Sequence, residues 1–169
     1  ADHVVQFASF AFDAMVSELC MSILSGGTLY VVSDAIKGDP QLFEEYVKNN
    51  GITISILPPQ YLNQLHLTGM RTIITAGSET SRDIVSANAH IPVYSNDYGP
   101  TETTVCATYW KHDSNDFVPD RIPIGKPMNN KQLYVLQGDC LCGIGIPGEL
   151  CIAGVGLARV YLNRPELTA

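Results

Sequence analysis

The hydrophobic positions in the first two thirds of the chain fall into short runs that switch between two periods. "VVQFASF" (residues 4–10) reads as a strand. "AMVSELCMSILS" follows with a helical pattern, Asp13 in front as an N-cap, and Gly26 and Gly27 as its stop. "TLYVV" is the next strand. "DPQLFEEYVKNNG" has Asp39 as cap, Pro40 at the first helical position, Leu42, Phe43, Tyr46 and Val47 on one face, and Gly51 as stop. "ITISIL" is a strand closed by Pro58 and Pro59, "PQYLNQL" a short helix, and "RTIITA" a strand. "TSRDIVSANAH" then predicts a helix and "IPVYS" a strand. This alternation, over residues 3–108, predicts βαβ units: an α/β fold with a mostly parallel sheet covered by helices on both faces. The last third differs. "QLYVLQ" and "GELCIAG" are short strands separated by the Gly- and Pro-rich "GDCLCGIGIPG", with no crossover helix. That predicts antiparallel sheet or part of a barrel. A boundary near "HDSNDFVPD" divides the chain into residues 1–115 and 116–169.

Composition narrows the function classes. Of 169 residues, 46% are hydrophobic and 16% charged, which suits a globular chain with a core. A net charge of −7 argues against nucleic acid or an anionic membrane as partner. No run is long and apolar enough to span a bilayer. The start, "ADHVVQFASFAFD", has no basic n-region, so no signal peptide is expected. The five cysteines, Cys20, Cys106, Cys140, Cys142 and Cys151, are odd in number and irregular in spacing. Reduced thiols in a cytoplasmic protein are expected rather than a disulfide framework. The four histidines are scattered and no C-x-x-C pair exists, which argues against zinc.

In open parallel sheets ligands bind beyond the carboxyl ends of the strands. Four loops follow strand ends: "FAFDAMVS", "ILPPQY", "TAGSETS" and "SNDYGPTE". They converge on one rim and carry suitable groups. "AGSETS" offers glycine and backbone N–H groups to a flat ring or a phosphate. Tyr98 can stack on a base, and Thr101 can donate to a phosphoryl oxygen. Glu102 can hold Mg²⁺, a hard cation that suits carboxylate and phosphate oxygens together. Asp13 can bind a ligand ammonium, and Ser17 lies one turn later on the same helix face. Each group also has a plainer role. Asp13 suits an N-cap, Gly99 and Pro100 an ordinary turn, Glu102 a solvated first-turn position, and "AGSETS" a capping loop.

Three segments resemble one family, in its order. "NDYGPTE" resembles the N-x-Y-G-P-T-E motif of adenylation domains from nonribosomal peptide synthetases. "FAFDAMVSE" resembles their F-D-x-S-type motif. "GELCIAGVGLARVYLNRPELT" is similar to their G-E-L-x-I-x-G-x-G-x-A-R-G-Y-x-N-R-P-E-L-T signature. The N-R-P-E-L-T ending favours amino-acid adenylation over the related acyl-CoA synthetases and luciferases. The resemblance implies a flavodoxin-like subdomain followed by part of a distorted barrel. It also implies a ligase that joins an amino acid to ATP and then loads a carrier protein's phosphopantetheine thiol. Asn96 would contact the adenine amino group and Tyr98 would stack on the ring, with Gly77, Ser78 and Gly99 completing the nucleotide slot. Thr101 would touch the α-phosphate and Glu102 would hold Mg²⁺. The amino-acid pocket would be Asp13, Ala14, Ser17, Ile56, Ile74, Ala76, Asp97, Val105 and Cys106, with Asp13 on the α-ammonium.

Ser17 stands where Phe-type pockets often carry a large aromatic residue, which implies a longer cavity. Asp97 is a second carboxylate among apolar walls and calls for a donor or a cation. The expected substrate has a large side chain with a polar tip, tyrosine first and arginine second. In the other reading Asp97 points away and the substrate is plainly aromatic. Val160 replaces the signature's Gly, which would strain the backbone if that position needs a positive φ. The family's phosphate loop, its Thr-Gly-Asp motif and its lysine-bearing C-terminal domain are not found in these residues. The resemblance therefore implies a central, substrate-selecting piece that is inactive alone. A rival is an acid-activating relative without the α-amine, which leaves Asp13 unexplained. A non-catalytic excised binding subdomain is a second rival. A third, a flavodoxin-like or response-regulator domain, leaves the last third unexplained.

Overall fold

Buried β-branched and aliphatic runs form the centre of the sheet. β1 (His3–Gln6), β2 (Thr28–Val31), β3 (Ile54–Leu57), β4 (Thr72–Thr75) and β5 (Val93–Tyr98) are joined side by side. β6 (Thr108–Asp113) and β7 (Lys126–Pro127) complete seven strands in the order β2-β1-β3-β4-β5-β6-β7. The pairs from β2 to β5 are parallel and the last two antiparallel. Every residue of β3 is buried, as expected for a strand covered on both faces. The computed structural model describes residues 1–114 and 116–168. Asn115, in the expected boundary segment, and Ala169, at the chain end, lie outside the described residues.

Side-chain caps mark the starts of two of the helices. α1 spans Ala14–Ile23 and α2 spans Asp34–Lys37. α3 (Pro40–Asn49) starts on Asp39, whose carboxylate accepts from the Gln41 and Leu42 N–H groups at 2.9 and 3.3 Å. α4 (Pro59–Leu62) follows Pro58, and α5 (Arg82–Ala87) begins with the Ile84 N–H donating to Ser81 Oγ at 3.3 Å. Phe43 and Val47 of α3 are buried, while Leu42, expected on that face, is 46% exposed. Phe43 meets Phe7 edge-on with ring centroids 5.4 Å apart, and Tyr61 at 5.5 Å. These rings join Val5, Leu57, Leu62, Ile73 and Tyr94 in the core.

Differences from the sequence pattern are local. β1 ends at Gln6, so Phe7 to Phe10 form the loop rather than more strand. β5 runs past Ser95 to Tyr98, because β6 pairs with it from Val93 to Tyr98. β6, β7 and α2 were not marked by any apolar run. β7 lies past the expected boundary, so the first sheet takes a strand from the expected second unit. Beyond it β8 (Lys131–Gln137), β9 (Cys140–Leu141) and β10 (Glu149–Gly154) form a separate antiparallel sheet in the order β10-β8-β9. Val160 does not have a positive φ, so the strain expected there does not arise. All five cysteines are unbridged. Among the described residues no helix is long and apolar enough to cross a membrane.

At the amino ends of the strands, Arg71 forks onto Asp2, Nε to Oδ1 at 3.0 Å and Nη2 to Oδ2 at 2.9 Å. Thr53 Oγ1 donates to Asp2 Oδ1 at 3.1 Å. The starts of β1, β3 and β4 are thereby tied together at the end opposite the loops of interest. The packing makes a contrast that urea unfolding can measure. Phe43→Ala should cost about 3–5 kcal/mol, while Leu42→Ala, its neighbour on the same helix, should cost under about 0.5 kcal/mol.

Candidate functional site

Register decides which side chains share a face. Ile56 pairs with Ile74, and Ile74 with Ser95, so these three sit side by side across β3, β4 and β5. Alternation then puts Ala76 and Asp97, two residues on, over the same face. Thr75 and Asn96, paired with each other, face the opposite way. The strand order reverses direction between β1 and β3, the position where open sheets of this order hold ligands. A cleft of about 760 Å³ lies there. Asp13, Ala14, Ser17, Ile56, Ile74, Ala76, Asp97, Val105 and Cys106 all line it, together with Gly77, Ser78 and Gly99. All four loops singled out in the sequence contribute. Asn96, Tyr98, Thr101 and Glu102 stand outside this cleft.

Asp13 occupies the N-cap position of α1 but does not act as a cap. Its backbone is already helical (φ −65°, ψ −23°) and its side chain makes no cap bond. Its Oδ2 is buried with no hydrogen-bond partner. A buried carboxylate oxygen without a donor is costly, by about 1–3 kcal/mol or more. Asp97 accepts a hydrogen bond from Ser95 Oγ, and burial raises its pKa against that bond. Cys106 lies between these groups. Burial, then Asp97 and Asp13, push its thiol up to about 12, so it is an inert wall and not a nucleophile.

On the other face Tyr94 OH receives Thr75 Oγ1 at 3.0 Å and lies 2.9 Å from Thr80 Oγ1. Asn96 Nδ2 donates to the Pro123 carbonyl at 3.0 Å. Tyr98 is 40% exposed at the rim. Gly99 is required by close approach: a Cβ there would lie 2.5 Å from Ala107 N and 2.6 Å from the Val105 carbonyl oxygen. Gly77 has φ +86°, a conformation that favours glycine. Thr101 and Glu102 begin a 3-10 turn, Thr101–Thr103. Tyr161 OH donates to Glu102 Oε1, which lowers the Glu102 pKa, and the Ala158 N–H donates to the Glu102 carbonyl at 2.6 Å. Among the described residues no cluster of three or more His, Cys, Asp or Glu could hold a metal by itself. A lone exposed carboxylate fits Mg²⁺ only if phosphate and water supply the remaining oxygens.

Several contributors were missed in the sequence. Phe7, Phe12 and Met128 also line the cleft. Glu18 is fully buried and accepts from the Phe7 N–H at 3.0 Å and the Ala8 N–H at 3.1 Å, fastening α1 to the end of β1. Its position in "FDAMVSE", five residues after Asp13, was the available signal. Lys131 donates to the carbonyls of Thr103, Thr104 (3.1 Å) and Cys106 (2.6 Å). Those bonds bracket Thr104 and Val105, at φ +62° and +60°, a conformation that costs non-glycine residues about 1–3 kcal/mol each.

Comparison with known proteins follows the same lines. The AMP-binding enzyme family matches residues 1–162. Tyrocidine synthase 1 of Brevibacillus parabrevis is 46% identical over 172 positions, covering 99% of this chain. Gramicidin S synthase 1 of Brevibacillus brevis is 42% identical over the same share of the chain. The chain spans 16% of the length of each of these two relatives. Among solved structures, a four-domain nonribosomal peptide synthetase bound to AMP and glycine superposes with a TM-score of 0.90 at 29% identity. That match covers 99% of this chain and 13% of that one.

The buried Glu18 yields a pH test. Burial raises its pKa from 4.5 to about 7, although the two backbone N–H donors and Lys37 pull it down. Between these values the folded chain binds more protons than the unfolded chain. Stability therefore falls as pH rises from about 4.5 to 7, by up to about 1.4 kcal/mol per unit, and then levels. Urea midpoints should show this slope, and Glu18→Gln should flatten most of it. Asp97, shifted the same way, leaves a smaller remainder.

Proposed function

The chain belongs to the AMP-binding enzyme family, and on that footing we propose that it is the amino-acid-selecting part of an adenylation domain in a nonribosomal peptide synthetase. One observation carries the reading: the buried, unpartnered Oδ2 of Asp13 in a cleft that is otherwise largely apolar. An α-ammonium supplies the missing donors and the opposite charge. A fatty acid or other substrate without an amine would leave that oxygen unsatisfied, which disfavours the acyl-CoA synthetase reading.

In the proposed reaction the amino acid's carboxylate oxygen attacks the α-phosphorus of ATP and pyrophosphate departs. Aminoacyl-AMP results. The carrier protein's phosphopantetheine sulfur then attacks the acyl carbon, and AMP leaves. The residues mainly position reactants and offset developing charge. Asp13 anchors the ammonium. Ala14, Ile56, Ile74, Ala76, Val105 and Cys106 hold the side chain. Gly77, Ser78, Asn96, Tyr98 and Gly99 form the nucleotide slot on the rim and far face. Thr101 hydrogen-bonds the α-phosphate. Glu102 would hold Mg²⁺, which when bound neutralises phosphate charge. Residues 1–115 form the selecting subdomain, and residues 116–169 part of the barrel that follows it, with β7 reaching back into the first sheet.

The substrate is a large amino acid with a polar tip, tyrosine first and arginine second. Ser17 leaves room at the cleft wall. Asp97 is half-buried there, with one donor of its own and capacity for another. A phenolic hydroxyl can donate to it, and a guanidinium can donate and carry the opposite charge.

The test is a graft of residues 5–108 into a complete adenylation domain of known preference, assayed by ATP–pyrophosphate exchange over an amino-acid panel. Tyrosine or arginine should rank first. Asp97→Ala should then lower tyrosine relative to phenylalanine by about tenfold or more. Retention of the host's preference would overturn the pocket assignment, and phenylalanine ahead of both would overturn the polar tip.

A further inference from the structure

The wall of the cleft opposite α1 contains an unusual piece of backbone. Thr104 and Val105 both lie in the left-handed region, and the Cys106 N–H donates to the Thr104 carbonyl at 2.8 Å. That bond closes a γ-turn on Val105 with positive φ, the rare and strained form. Val105 is also β-branched, the residue class least suited to this conformation. Such a turn persists only when its surroundings hold it.

Much of the holding comes from the second sheet. Lys131 opens β8 and pairs with Gly154 of β10. Its Nζ donates to the carbonyls of Thr103, Thr104 and Cys106. An ammonium has three donors, and here three acceptors converge on it. Thr104 Oγ1 adds a bond to the Gly156 carbonyl at 2.6 Å, from the segment just after β10. Thr104, Val105 and Cys106 all line the cleft. Without the ammonium, the Thr103 and Cys106 carbonyls would lose this partner, the Thr104 carbonyl would keep only the Cys106 N–H, and the turn would be free to relax toward negative φ.

We infer that Lys131 is a positioning residue that sets the specificity wall of the amino-acid cleft, so that the three-stranded sheet takes part in substrate discrimination. The inference rests on the amino-acid-selecting function proposed above. Lys131 does not line the cleft and acts through the backbone of residues 103–106. It stands 25 to 28 residues from the carbonyls it holds, outside the motif that contains them.

The experiment is a double-mutant cycle in the complete synthetase that carries this chain, using Lys131→Met, Val105→Gly and both together. Glycine accepts positive φ without strain, so it removes the need for the clamp. Lys131→Met alone should raise KM for the preferred amino acid about tenfold or more and leave KM for ATP within about twofold. In the Val105→Gly background the same change should shift KM by less than about threefold. Amide hydrogen exchange at residues 104–107 should speed up in Lys131→Met and should not depend on any substrate. Unchanged exchange there would overturn the clamp, whatever the substrate proves to be. Faster exchange with an unchanged amino-acid ranking and KM would overturn the role in discrimination while leaving the adenylation reading intact. A parallel loss for ATP and amino acid, or equal effects in both backgrounds, would reduce Lys131 to general stability and overturn the inference. Should Lys131→Met fail to fold, Lys131→Gln carries the same readouts.

Discussion

Parallel pairing in a single register, across β1, β3, β4 and β5, is the constraint on which the rest of the site depends. It brings four loop ends to one rim. It also sorts side chains by parity, with Ile56, Ile74, Ser95 and Asp97 over the cleft and Thr75 and Asn96 behind it. A slip of one residue at β4 would exchange Ile74 for Ile73 and Thr75 and turn the pocket inside out. The reversal of strand order between β1 and β3 then opens the space into which these side chains project.

On this frame the chemistry is mainly the management of buried charge. Asp13 and Asp97 are carboxylates lining the largely apolar cleft, and Glu18 is a third, fully buried and bonded to the N–H groups of the lining residues Phe7 and Ala8. Each is treated differently. Glu18 is satisfied by two backbone N–H groups and serves as a fastener. Asp97 has one hydroxyl donor, from Ser95. Asp13 leaves an oxygen with none. The gradation from satisfied to unsatisfied separates structural from ligand-directed acids more clearly than residue type does. Lys131 offsets the partial negative charge of three backbone carbonyls that a strained wall brings together.

Features whose cause lies within a few residues were readable in the sequence. The caps at Asp39 and Ser81, the buried run of β3, the rim loops and the tight turn at Gly99 all have local signatures. Features created by distant partners were not. β5 outruns its apolar stretch because β6 pairs with its polar end, and β6 itself, "TYWKHD", mixes rings with charges. α2 has four residues, too few for a helical period to show. Asp13 looked like a cap because it precedes a helix, and only the backbone angles and the missing bond show that it is not one. Lys131 is invisible in any motif, since its role exists only once the second sheet approaches the first.

The claim on which the account turns is that Asp13 waits for an ammonium. The most direct measurement is equilibrium binding of the panel's preferred amino acid and of its deaminated analogue, to the wild-type protein and to Asp13→Asn. The account predicts that wild type binds the deaminated analogue about 10- to 100-fold more weakly, and that the difference largely disappears in Asp13→Asn. Equal affinities in wild type would contradict it, and the cleft would then belong to a ligand without an amine.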